Sequence, residues 1–319
     1  MVRFSIIVPL YNKAPYVRKA LESIVNQTFQ DYEVIIVNDG STDNSLDVTE
    51  KFFEHIDDRW IDDRLTIINQ PNAGVAAARN NGVAKSKGEY VCFLDADDWW
   101  EATYLEEMDR LIQEYPDAGL YGCDYYYVKN GKKKIYPKDA EGYIDYCKVY
   151  THCGAMPIHP NGAAIPRKVF NEIGGFDSSI KMGEDFILFM QIALKYKVAF
   201  LNKQLVIFNQ DADPKWRAIT KLHKPENHML WHVAQWEEQE KTNAAYKAMI
   251  DMLRIIGLKN YWLSDEYNDA AAIELKKVDW TKQPKSTKAQ YEKPIWWLKA
   301  KRRFMQVGSY FKQKLIRAL

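Results

Sequence analysis

The sequence predicts an α/β fold: a mostly parallel sheet flanked by helices, followed by a helical C-terminal appendage. Three observations predict it. Over the first hundred residues, apolar strand-like runs alternate with segments of helical spacing. The strand-like runs are almost continuously apolar, as expected for parallel strands covered on both faces. Beyond about residue 220, no further clear strand pattern occurs.

The elements follow in order. Phe4 to Leu10 is apolar and β-branched, hence a strand; Ala14 to Gln27 carries Val17, Ala20, Leu21 and Ile24 on one helical face. Tyr32 to Val37, Leu65 to Ile68 and Tyr90 to Leu94 are the next three strands. Ser45 to Phe53, Gly74 to Ala84 and Glu101 to Gln113 are the helices that follow them. Leu120 to Val128 is an aromatic-rich strand, and Asn130-Gly131 marks a hairpin turn. This pattern suggests antiparallel additions at the sheet edge. Gly162 to Ile165, a helix from Arg167 to Ile173, a helix from about Glu184 to Tyr196 and a closing strand from Val198 to Phe208 complete a domain of residues 1–220. Residues 221–319 form the appendage.

In such sheets, ligands sit beyond the carboxyl ends of the strands, and those loops hold the unusual residues. The first strand ends in Pro9-Leu10-Tyr11-Asn12. The second ends in Asn38-Asp39-Gly40-Ser41-Thr42-Asp43, the third in Asn69-Gln70-Pro71-Asn72-Ala73-Gly74, and the fourth in Asp95-Ala96-Asp97-Asp98. Three carboxylates within four positions repel one another unless a cation joins them. Hard oxygen ligands suit magnesium or manganese, which take one or two carboxylates and complete their shell from substrate phosphates. Asp98 also suits a helix cap. Asp39 stands where it can accept hydrogen bonds from a base or ribose, or serve only its loop. Arg79 stands out in the small-residue run Ala73 to Gly82, placed to bind phosphate or base oxygens or to lie at the surface. Glu184-Asp185 opens a helix after Gly183, so it supplies either first-turn acids or a general base.

Composition narrows the class. Apolar content is 47% and net charge is +1, which gives no argument for nucleic acid as a partner. No segment reaches the roughly 18 apolar residues of a membrane span, and the N-terminus carries no secretory pattern. Four cysteines without C-x-x-C spacing fit free thiols in a reducing cytoplasm. His228 and His232 share a helix face but have no third ligand at a known spacing. Dinucleotide, P-loop and α/β-hydrolase signatures do not occur.

In order, these motifs resemble those of the family 2 glycosyltransferases, over roughly residues 1 to 215. The matching text is Ser5 to Asn12, Val37 to Asp43, Asn72-Ala73-Gly74 with Ala78-Arg79-Asn80, Phe93 to Asp98, Gly174 to Asp177 and Gly183 to Asp185. The resemblance implies a GT-A fold and an inverting, metal-dependent transfer of one sugar from a nucleotide-sugar donor. The donor is expected to be a UDP-hexose or UDP-N-acetylhexosamine, and the acceptor a saccharide or lipid-linked hydroxyl in cell-surface polysaccharide synthesis. By position, Pro9, Tyr11 and Asp39 hold base and ribose, Arg79 contacts the nucleotide, and Asp95 lies near the ribose. Asp97 ligates Mn2+ or Mg2+, and Asp185 is the catalytic base. The Gln-x-x-Arg-Trp motif of processive synthases is absent. Lys215 or Arg217 stands where relatives carry a basic loop over the diphosphate.

Two rivals remain. A nucleotidyltransferase would carry a Gly- and basic-rich loop after strand one and release pyrophosphate. A non-catalytic sugar-nucleotide-binding protein would not need both Asp97 and Asp185. Residues 293–319 interleave Trp296, Trp297 and Phe304 with basic residues and no acidic ones. This stretch either lies in an anionic membrane interface or packs as a helix with a solvated basic face. The first alternative implies a cytoplasmic protein at the inner membrane face.

Overall fold

The computed structural model describes residues 2–135, 138–212 and 222–300. The chain divides into two units, Met1–Gln235 and Trp236–Leu319. In the first unit, the expected alternation appears as β1 (Phe4–Leu10), α1 (Val17–Val25), β2 (Tyr32–Asp39), α2 (Ser45–Phe53), α3 (Asp58–Arg64), β3 (Leu65–Gln70), α4 (Val75–Lys85) and β4 (Tyr90–Phe93). Strands β3, β2, β1 and β4 lie side by side and parallel, with Leu10 opposite Asn38, Asp39 opposite Gln70 and Ile7 opposite Phe93. Their carboxyl ends therefore open on one crevice. Helix α1 buries Val17, Ala20, Leu21 and Ile24, the spacing read from the sequence. Helix α4 lies tight on the sheet because its residues are small: a Cβ on Gly82 would run into the Ile7 side chain and stand 3.3 Å from that of Val37.

The rest of the sheet departs from expectation. The next elements are β5 (Trp99–Trp100), α5 (Tyr104–Glu114), β6 (Ala118–Lys129), β7 (Lys132–Lys134), β8 (Gly142–Ile144), α6 (Tyr146–Cys153), β9 (Ala163–Pro166), α7 (Arg167–Ile173), α8 (Glu184–Ala193) and β10 (Lys197–Asn209). The antiparallel additions do not all sit at the edge. Strand β9 inserts between β4 and β6, antiparallel to both, and β10 runs parallel to β6. Ala163, Ala164 and Ile165 are small or apolar and fully buried, so they tolerate a central position that polar edge residues would not. Helix α5 starts at Tyr104 rather than Glu101. Trp99–Trp100 pairs with β10 instead, the Trp100 ring stacks on Tyr104 at 4.1 Å, and its indole N–H donates to the Asn161 carbonyl at 2.6 Å. The Asn130-Gly131 hairpin forms as expected, with both residues at positive φ.

A short helix α9 (Met229–His232) closes the first unit. The second unit contains α10 (Glu237–Thr242), α11 (Ala244–Gly257), α12 (Lys259–Trp262), α13 (Asn268–Leu275) and α14 (Lys285–Tyr291). Tyr246, Met249, Ile250, Leu258, Tyr261, Ala271 and Leu275 fill its core. Arg254 sits among them, 0% exposed, with bonds to Glu240 at 2.6 and 2.7 Å and to Glu274 at 3.2 Å. Removing one member of such a buried network leaves charge without a partner. Arg254→Ala is therefore expected to destabilise this unit by about 3–5 kcal/mol, measured as a lower urea midpoint and lost amide protection across residues 236–300. An unchanged midpoint would show that the network carries no stability. Of the C-terminal basic stretch, only residues 293–300 are described, with Trp296 71% exposed; residues 301–319, like Lys215 and Arg217, lie outside the described residues. Among the described residues, no helix is long and apolar enough to cross a membrane.

Candidate active site

The crevice is assembled by loops that bind one another through side chains. Asp39, the last residue of β2 and 3% exposed, accepts from Gln70 Nε2 at 2.8 Å and from the backbone N–H groups of Ala73 and Gly74 at 2.8 and 2.9 Å. These bonds fix the entry to α4 and fill three of the roughly four lone-pair positions of a carboxylate. Pro9 is the penultimate residue of β1, and Tyr11 follows the strand. Pro9 comes two residues after the last β1–β4 pair, where a missing N–H costs the sheet least.

The fourth loop holds its three aspartates in three different environments. Asp95 receives Arg79 Nη2 at 2.7 Å; burial pushes its carboxyl up, but the guanidinium outweighs this and holds it below the usual range. Asp97 pairs with Lys13 Nζ at 2.5 Å. Asp98 is buried and accepts from the Asn209 N–H at 2.7 Å and from the Asn161 amide. Burial, then the charges of Asp97 and Asp95, push it well above the ordinary range. Asp98 is thus no helix cap: α5 starts six residues later, and Asp98 instead ties the loop to β10.

Arg79 is buried and joins two ends of the crevice. Its guanidinium bridges Asp95 and, at 3.2 Å, Glu184 at the start of α8, and it stands 5.2 Å from the Phe176 ring centre. The neighbouring Asn80 pins Phe176 by two bonds, from its amide to the Phe176 carbonyl at 2.7 Å and from the Phe176 N–H at 2.9 Å. The Gly174-Gly175-Phe176 turn therefore supports Arg79. Helix α8 begins after Gly183, whose φ of +85° favours glycine and whose Cβ position is occupied by Met229. Burial raises both acids there. Glu184 is pushed up to about 7 by burial and by the charge of Asp185, against the pull of Arg79. Asp185 is raised by burial, again opposed by Arg79. A carboxylate with raised affinity for protons suits a general base.

The sequence reading missed three contributors. Lys13 follows the strand-one motif directly, and its charge beside that motif is the only local signal. Asn161 is buried; its carbonyl oxygen Oδ1 accepts the Asp95 N–H at 3.0 Å while its amide serves Asp98. Nothing in the local sequence marks this role. Tyr146 is buried close enough to Asp185 to feel its charge, with a hydroxyl that has no hydrogen-bond partner among the described residues. Because Asn161 sets the loop of Asp95 to Asp98, Asn161→Ala is expected to cost about 1–3 kcal/mol of stability. It should also weaken cation-dependent nucleotide binding, read by melting curves and titration. Full binding with normal melting would rule out the positioning role.

Among the described residues, no three His, Cys, Asp or Glu side chains converge as a protein-only metal cage. His228 and His232 serve local structure instead: His228 Nδ1 accepts the Leu230 N–H at 3.2 Å, and His232 Nε2 bonds the Glu226 carbonyl at 2.8 Å. Asp97, with Asp95 two residues before it, offers the one or two carboxylates that a phosphate-borne Mg2+ or Mn2+ needs, so the donor set fits.

A parallel sheet whose strand-end loops gather these acids beside a buried arginine and an acidic helix start is the GT-A glycosyltransferase arrangement. The Glycosyl transferase family 2 model matches residues 5–174, over half of the chain, and the chain belongs to that family. Glycosyltransferase GlyA of Streptococcus pneumoniae is 34% identical over 220 residues, covering 65% of this chain and 30% of GlyA. The matched stretch spans about a third of the length of such curated relatives. Among solved structures, residues 1–349 of S. aureus TarS in complex with UDP-GlcNAc match with a TM-score of 0.70 at 19% identity, covering 90% of this chain and 83% of that one. The mannosyltransferase PcManGT from Pyrobaculum calidifontis, in complex with GDP-Man and Mn2+, matches with a TM-score of 0.59 at 20% identity, covering 97% and 86%. These likenesses show the fold.

Proposed function

We propose that this chain transfers one sugar from a nucleotide-sugar donor, a UDP-hexose or UDP-N-acetylhexosamine, to a hydroxyl of a saccharide or lipid-linked acceptor, with inversion. The observation that carries this reading is the Arg79 bridge. It ties the Asp95–Asp97 loop, suited to a diphosphate, to the Glu184–Asp185 helix start, suited to a base. Asp39, with Pro9 and Tyr11 beside it, holds the base and ribose through its remaining acceptor position. Arg79 orients Asp95 and the base helix, and contacts the nucleotide side of the crevice. Asp97 would hold Mn2+ or Mg2+, which when bound offsets charge on the diphosphate, and Asp95, braced by Arg79, lies on the ribose side.

The acceptor hydroxyl oxygen forms a bond to the anomeric carbon while the bond from that carbon to the β-phosphate oxygen breaks. The electron pair leaves with the nucleoside diphosphate, and the hydroxyl proton passes to Asp185. One base on the face opposite the leaving group suffices for inversion. Because the base works ionised, transfer is expected to rise with pH and to be lost as pH falls through an apparent pKa above the ordinary carboxylate range. That pKa belongs to the Glu184–Asp185 pair rather than to one residue. A profile flat from pH 5 to 8, with chemistry rate-limiting, would remove the acid pair from the mechanism.

The direct test offers UDP-glucose, UDP-galactose and their N-acetylated forms with Mn2+ and a panel of sugar acceptors. The expected products are UDP and a glycoside of inverted anomeric configuration, identified by NMR. Pyrophosphate release would instead identify a nucleotidyltransferase. Binding of donor with neither hydrolysis nor transfer would identify a non-catalytic sugar-nucleotide-binding protein.

A further inference from the structure

Lys13 is anchored by its backbone, and its side chain makes one ion pair, with Asp97. Asn12 before it has a left-handed backbone, φ 52°, uncommon for a non-glycine residue. The loop after β2 holds that conformation. The Asn12 N–H donates to Ser41 Oγ at 3.2 Å, and its side-chain oxygen accepts the N–H groups of Thr42 and Asp43 at 2.8 and 3.3 Å. The Lys13 N–H donates to Ser45 Oγ at 2.7 Å, and the Ala14 N–H to Asp43 Oδ2 at 3.3 Å. From this fixed base, the lysine stem crosses to the loop after β4 and meets Asp97. The two side chains are 16% and 14% exposed, so the pair keeps a narrow opening to solvent.

The surrounding charges leave this pair as the adjustable one. Arg79 is committed to Asp95 and Glu184, and Asp98 to Asn209 and Asn161. A divalent cation on the Asp97 carboxylate would share it with an ammonium already in contact, and like charges at that range repel strongly in a partly dry crevice. The ammonium must therefore leave as the cation arrives. The diphosphate delivered with the cation supplies oxygens for it to join. Lysine suits such an exchange, being a compact point charge on a flexible stem with no fixed fork to satisfy.

We infer that Lys13 is an exchangeable counter-ion: it neutralises Asp97 before the donor binds and moves onto the donor's diphosphate afterwards. On the diphosphate, its charge helps to stabilise the leaving group. This inference rests on the donor reading above.

The test titrates the full chain with Mn2+, first alone and then with UDP, GDP, dTDP or ADP, following free Mn2+ by electron paramagnetic resonance and nucleotide by calorimetry. Native protein is compared with Lys13→Met and Lys13→Arg. Lys13→Met should bind Mn2+ alone more tightly, and the Mn2+–nucleotide pair more weakly, each by about tenfold, the scale of one charge-assisted hydrogen bond. Lys13→Arg should keep the charge and recover most of the nucleotide affinity. Native-like melting of both variants separates these effects from misfolding. If native protein binds an Mn2+–nucleotide pair and Lys13→Met matches it in both titrations, the Lys13 inference is overturned and the donor reading stands. If native protein binds none of the four nucleotides with Mn2+, both are overturned.

Discussion

Asp185→Asn is expected to lower the transfer rate by about 10²- to 10⁴-fold, the contribution of a positioned general base, while nucleotide affinity stays within about twofold, since the proposed base serves the acceptor hydroxyl and not the nucleotide. The substitution is close to isosteric. The introduced amide keeps an oxygen to accept the Phe186 N–H, which Asp185 now takes at 2.7 Å, so the start of α8 should hold its shape. What disappears is the group that receives the proton. Glu184, one residue earlier, is a weaker candidate because Arg79 already occupies its carboxylate, so Glu184→Gln should cost less rate than Asp185→Asn. Single-turnover kinetics with donor in excess, paired with calorimetric titration of UDP and Mn2+, separates the two effects. Loss of nucleotide binding in Asp185→Asn would refute the assignment, as would a larger rate loss in Glu184→Gln.

Asp97→Ala should act on the other half of the reaction. Cation-dependent nucleotide binding should fall by at least about tenfold, and kcat/KM by about 10²- to 10³-fold, the scale seen when one electrostatic stabiliser of a developing charge is lost. The physical reason is that Asp95 is already spent on Arg79 and Asp98 on backbone and amide groups. That leaves Asp97 as the carboxylate whose partner, Lys13, can give way. Calorimetry with UDP in the presence and absence of Mn2+ checks the binding term, and an initial-rate assay checks the second. Full activity of Asp97→Ala in EDTA would sink the cation assignment. The two variants together also divide the mechanism: one should lose proton transfer with binding intact, the other binding and leaving-group stabilisation together.

Much of this site was legible in the sequence because its parts are local. A strand that ends in Asp39-Gly40 or in Asp95-Ala96-Asp97-Asp98 presents its acids at the carboxyl edge of a parallel sheet, and strand–helix alternation says that these edges share one crevice. The same locality explains the misplacements. The helix expected from Glu101 starts only at Tyr104, because Trp99–Trp100 just before it pairs with β10 more than a hundred residues away. Strand β9 is only four residues long, and its central position depends on the gap between β4 and β6 rather than on its own pattern.

The sequence by itself determined the four parallel strands, the acids at their ends and the helix start at Glu184–Asp185, because hydrophobic period and turn chemistry act over a few residues. Only the tertiary structure decided which charges are spent and which are available. Arg79 meets Glu184 across 105 positions, Lys13 meets Asp97 across 84, and Asn161 meets Asp98 across 63. Such pairings depend on where separate loops arrive in space, and no local pattern encodes that. They turn three neighbouring aspartates of similar appearance into a guanidinium-bound brace, a lysine-paired carboxylate and a buried tether.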